Sequence, residues 1–131
     1  MEKFTSKEAL AEKFSILRRA YNENPYPSLA QRKKVLQALK KSLIAHEDKF
    51  YQALKDDYGY RSEFDTLIAD LLPSVMGINY ALKRLRKWMK PSRRHAGVML
   101  APSSVEVQYQ PVGVVGIIVP WNFPLFLALS P

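Results

Sequence analysis

There is no cysteine anywhere in these 131 residues. That absence removes disulfides, thiolate metal ligation and any thiol nucleophile from the chemistry the chain can perform by itself. Histidine is nearly as scarce. His46, at a helix edge, and His95, beside a basic run, are too few for a histidine-based metal site and read as ordinary surface residues, so no metal is expected. The opening Met-Glu-Lys-Phe-Thr-Ser-Lys-Glu lacks an apolar core followed by a small-residue cleavage site. No secretory signal is therefore expected, and the expected location is cytoplasmic. Acids are missing from residues 83–94, and charge of either sign is missing from residues 107–131.

What is present is ordinary globular material, 47% hydrophobic and 24% charged, with the length of one small domain. The net charge of +8 is local. Residues 83–94 hold seven bases, and without them the net charge falls to +1. Such a run, with Trp88 available for stacking, is one footprint of a small basic helical module that binds nucleic acid or protein. The plainer account is a helix C-terminus, where cations oppose the helix dipole, followed by a solvated loop; no nucleic-acid partner is expected. The uncharged end has the length of a membrane span. Gln108, Gln110 and Asn122 are polar, however, and Pro111, Pro120 and Pro124 would interrupt a spanning helix, so no membrane partner is expected either.

Three helical segments are expected. The first follows Thr5 or Ser6 as N-cap, carries Leu10, Phe14, Leu17 and Tyr21 at helical spacing, and ends before Asn24-Pro25-Tyr26-Pro27. Ser28-Leu-Ala-Gln31 has capping-box spacing and opens the second, whose apolar stripe from Val35 through Leu43 and Leu54 to Tyr58 runs until Gly59. Ser62 can cap the third, which includes Leu67, Leu71, Met76, Leu85 and Trp88; Pro73 inside it predicts a kink or a division. Pro91 and Pro102 mark connectors. Val105-Glu-Val-Gln-Tyr109 alternates as a half-exposed strand, and Val112–Val119 reads as a buried strand.

That last strand runs into Pro120-Trp121-Asn122-Phe123-Pro124, two prolines bracketing an indole and an amide. α/β enzymes place chemistry just beyond the carboxyl end of a strand. The bland alternative is a proline-bounded turn filled by aromatic side chains. Gly113 and Gly116 do not form a dinucleotide fingerprint, since no following helix or acidic partner accompanies them; close packing explains them better.

The string Gln110-Pro-Val-Gly-Val-Val-Gly-Ile-Ile-Val-Pro-Trp-Asn-Phe-Pro-Leu-Phe-Leu-Ala-Leu-Ser-Pro131 resembles the start of the coenzyme-binding domain of aldehyde dehydrogenases. Gln31–Leu54, Asp57-Tyr-Gly-Tyr-Arg-Ser-Glu-Phe-Asp65 and Arg86-Lys-Trp-Met-Lys-Pro91 resemble the family's N-terminal helices more diffusely. The branch most similar is the class-3-like and coniferyl aldehyde dehydrogenase one. The resemblance implies an α+β segment. Its mostly helical N-terminal region (1–104) precedes strands (105–131) that begin an α/β, Rossmann-like coenzyme domain. It implies that the Asn122 amide helps form an oxyanion hole, and that Val119, Pro120 and Trp121 contact NAD or NADP. It also implies a small-molecule aldehyde as substrate and assembly as a homo-oligomer. The family's reaction needs a nucleophilic cysteine, a glutamate base, and a lysine with a glycine-rich turn for coenzyme, all downstream of the matching segment. With no cysteine, this chain taken alone is expected to be inactive.

Overall fold

A computed structural model describes residues 6–131. They divide into two compact units, residues 6–27 with 91–116 and residues 28–90 with 117–131.

The first unit holds helix α1, Lys7–Glu23. Ser6 is its N-cap, with Oγ accepting from the Ala9 amide at 3.2 Å; the alternative cap, Thr5, lies outside the described residues. The helix stops at Asn24, ahead of the two prolines as expected. None of its residues is fully buried. A short antiparallel ladder pairs β1, Ser92–Arg94, with β2, Val105–Val107, in the register Ser92↔Val107 and Arg94↔Val105. The end of the basic run, expected as loop, is thus a strand. Strand β2 is shorter than the expected stretch to Tyr109, and all of its residues are exposed.

The buried strand expected over Val112–Val119 does not form among the described residues. A strand persists only when a neighbour satisfies its backbone groups, and the ladder ends at Val107. Residues 111–114 lie instead against α1. The Tyr21 hydroxyl donates to the Pro111 carbonyl at 3.2 Å, and Gly113 holds φ +112° with the Tyr21 ring 3.7 Å from where a Cβ would sit. The positive φ, not the close packing expected, therefore accounts for Gly113, since a Cβ there would meet Tyr21 only at ordinary contact distance. Gly116 has open space around it.

The second unit carries the core. Helix α2, Leu29–Ala45, begins at the reciprocal box foreseen in the sequence: Ser28 Oγ accepts from the Gln31 amide, and the Gln31 side chain accepts from the Ser28 amide. The expected single helix to Gly59 is divided at His46. That residue leaves helical geometry (φ −116°, ψ 19°) with its ring Nδ1 2.8 Å from the Ser42 carbonyl. Helix α3, Glu47–Tyr58, then starts with Glu47 and Asp48 in its first turn, where acids favour the positive helix end. Tyr51 donates to Glu47 one turn away, and burial first, then that bond, pushes its phenol up to about 12. Gly59, at φ 76°, ends α3 as expected.

Ser62 caps α4, Glu63–Thr66. A wide turn over Leu67–Leu71 leads into α5, Leu72–Trp88, with Pro73 in its first turn. Pro73 has no N–H to give the carbonyl four residues back, so the chain widens there and the Leu72 amide reaches the Leu67 carbonyl, an i→i−5 bond. The proline divides the third helix, one of its two expected outcomes. Leu43, Leu54, Leu71 and Ile78 are the buried apolar side chains, each contributing about 1.5–3 kcal/mol by burial. Helix α6, Pro124–Leu129, packs on the wide turn and on α5.

Candidate functional site

The wide turn matters for chemistry because it carries an inward-facing carboxylate. Thr66, Asp70, Ser74 and Ile78 follow one another at four-residue steps, and all four are buried. Asp70 has no exposed surface. Its backbone carbonyl accepts from the Ser74 hydroxyl at 2.6 Å, and both of its carboxylate oxygens are engaged. One meets Arg61 Nη2 at 2.5 Å, and the other accepts from the backbone amide of Phe126 at 3.0 Å. Phe126 lies in the first turn of α6, whose N-cap residue Phe123 supplies no side-chain cap. The carboxylate of Asp70 does that work from another element.

Arg61 continues the connection. Its Nη1 donates to the backbone carbonyl of Asn122 at 3.1 Å. The guanidinium lies 5.0 Å from the centre of the Tyr58 ring and 5.9 Å from that of Phe123, within range for cation–π attraction. One arginine thus touches the residue before the loop's aromatic, the aromatic itself, and the buried acid behind them.

Asn122 sits in the turn leading into α6 and is exposed. Its main chain is held by Arg61, yet among the described residues its side-chain amide has no hydrogen-bonding partner. An amide on an anchored backbone, with its own donors unspent, can present an N–H to a ligand atom that gains negative charge. Trp121 is 65% exposed with its indole N–H likewise free among the described residues; Pro120 is exposed and Val119 half-buried. The four residues singled out in the sequence therefore form one continuous approach and turn. A cavity of about 350 Å³ adjoins it, lined by Tyr58, Arg61, Phe64, Ile68, Asn122 and Phe123.

Arg61 and Asp70 were not singled out by sequence reasoning. The available signal was one acid inside the apolar run Leu67-Ile-Ala-Asp-Leu-Leu72, at helical spacing with positions that face the core. A buried carboxylate demands a cation or several donors.

The helical part of the basic run matches its plainer account, although its end is strand β1 rather than loop. Arg86 and Lys87 occupy the last turn of α5, and the Trp88 ring packs 5.8 Å from that of Tyr80. Among the described residues there is no cluster of three or more potential metal ligands, and no helix is long and apolar enough to cross a membrane.

Comparison with known proteins bears on this geometry. The aldehyde dehydrogenase family matches residues 5–131. A probable coniferyl aldehyde dehydrogenase of Pseudomonas aeruginosa is 47% identical over 118 residues, 90% of this chain and 25% of its own length. Aldehyde dehydrogenase family 3 member B1 of Rattus norvegicus is 32% identical over 124 residues, 95% of this chain and 26% of its own. A solved structure of Staphylococcus aureus AldH in a substrate-bound state shares the fold, with a TM-score of 0.85 at 24% identity over 92% of this chain and 26% of its own. The chain thus spans about a quarter of the length of the relatives it matches. With the family match running through the helices, the Asp70 turn and the Asn122 loop alike, the chain belongs to the aldehyde dehydrogenase family.

Proposed function

We propose that this chain forms the oxyanion-stabilising, coenzyme-facing part of an enzyme that oxidises an aldehyde to a carboxylic acid with NAD or NADP. The observation that carries the reading is the side-chain amide of Asn122, without a partner among the described residues, on a backbone tied to Arg61. Attack on an aldehyde carbonyl puts negative charge on its oxygen. A neutral N–H presented from an anchored backbone can stabilise that charge without adding a titrating group. The similarity to coniferyl aldehyde dehydrogenases favours aromatic aldehydes as the substrate class.

The residues present fit one end of the coenzyme. Val119, Pro120 and the exposed indole of Trp121 make an uncharged surface that suits a nicotinamide ring and its ribose. Nothing in residues 107–131 carries a charge for the diphosphate, so that end needs groups this stretch does not supply. Bound there, NAD or NADP would accept the hydride. Residues 105–131 thereby open a coenzyme-binding region, and residues 1–104 support it. We place the enzyme in the cytoplasm and read it as a homo-oligomer, the exposed Val112, Val115 and Ile118 favouring association. A nucleic-acid-binding module is not favoured, because the family match spans the basic run as well.

Asn122→Ala in the enzyme that carries this segment tests the reading. The expected fall in kcat is about 10²–10³-fold, the effect of losing one oxyanion donor. The present chain, lacking a thiol, is expected to reduce no NAD or NADP in the presence of aldehyde above a protein-free control. Turnover by it would refute the chemistry assigned.

A further inference from the structure

The geometry points to Arg61 and Asp70 as positioning residues that fix the loop backbone from which the Asn122 amide is presented. The inference rests on the oxyanion role proposed above and adds the two side chains that hold the loop in place.

The loop is held at both ends by this pair. Arg61 fixes the carbonyl of Asn122, and Asp70 fixes the amide of Phe126, four residues later. Between them lie Phe123, whose ring meets the same guanidinium, and Pro124, whose φ is set by its own ring. The Asn122 side chain has no partner of its own among the described residues, so the place from which its amide is presented follows from its backbone. The backbone in turn follows from a carboxylate with no exposed surface and a guanidinium side chain only 9% exposed.

Stability alone does not account for such a pair. Buried ion pairs can often be replaced by apolar side chains of similar volume at little cost or even a gain, so the presence of this one is weak evidence for a purely stabilising role. The fork of Arg61 makes this concrete. One nitrogen is spent on Asp70 and the other on Asn122, an arrangement that lysine, a point donor on a flexible stem, cannot reproduce.

Amide exchange and NMR relaxation on the chain itself test the inference in two variants. Arg61→Lys keeps a cation beside Asp70 and loses the fork. The double variant Arg61→Met/Asp70→Leu removes both charges and keeps the volume filled. In both, the amides of α2 and α5 are expected to remain protected, while the backbone of Asn122 and Phe123 gains fast motion. In the double variant the Phe126 amide, deprived of its carboxylate acceptor, should exchange about tenfold faster or more. Unchanged backbone order at Asn122 and Phe123 in Arg61→Lys would overturn the inference. So would loss of α2 and α5 protection in that variant, which would make the pair a support of the whole fold. Arg61→Lys decides the matter if the double variant does not fold. The two readings fail separately: kcat untouched by Asn122→Ala removes the oxyanion role, whereas an unmoved loop in Arg61→Lys removes the positioning role.

Discussion

Replacing Arg61 by methionine while leaving Asp70 in place isolates the cost of a buried carboxylate without its cation. Asp70 has no exposed surface, and its Oδ2 has Arg61 as its partner among the described residues. Methionine fills much of the same space and donates nothing. The carboxylate keeps only the Phe126 amide, and breaking a buried pair on one side in this way costs about 3–5 kcal/mol. The lost bond to the Asn122 carbonyl adds little, since water reaches that exposed residue. At roughly 3–5 °C per kcal/mol for 131 residues, between the values for smaller and larger domains, the melting temperature should fall by about 9 °C or more. Adding Asp70→Leu removes the stranded charge and should recover most of the loss. It leaves only a missing cap on α6, about 1 kcal/mol. Far-UV circular dichroism melts of the chain and its three variants, read as a double-mutant cycle, check this. A single variant that melts within a few degrees of the unaltered chain would refute the reasoning, and so would a double variant less stable than Arg61→Met.

One further prediction concerns association. Val112 and Ile118 are 91% and 99% exposed, and Val115 adds to the same uncharged stretch, so segment 105–131 should pair copies of the chain. Light scattering over a concentration series should show mass rising with concentration; a strict monomer at high micromolar concentration would contradict it.

Local signals mark the ends of elements well. The Ser28–Gln31 box, the stop at Asn24 and the left-handed Gly59 all act through bonds between near neighbours, which a sequence displays directly. The break at His46 was missed because an unbroken apolar stripe masked it, although Glu47 and Asp48 mark a new helix start. Pro73 announced a disturbance but not its form. The i→i−5 bond ahead of it is such a form, whereas the inward place of Asp70 follows ordinary four-residue steps and only its partners, distant in sequence, were hidden. The expected strand over Val112–Val119 followed from composition alone, and composition cannot supply the neighbouring strand a ladder requires. At the site, Asn122 was legible because its motif is contiguous. Arg61 and Asp70 were not, since 61 residues separate Arg61 from the carbonyl it holds.

The central claim is that the Asn122 amide stabilises charge on the substrate oxygen. The most direct test is the kcat of Asn122→Ala in the enzyme carrying this segment, measured beside its melting temperature. Removing one preorganised donor should lower kcat by about 10²–10³-fold. An exposed side chain with no partner of its own among the described residues should meanwhile leave the melting temperature nearly unchanged. A kcat within a factor of about two of the unaltered enzyme, set against that expected fall, would contradict the claim and leave Asn122 a turn residue between two prolines.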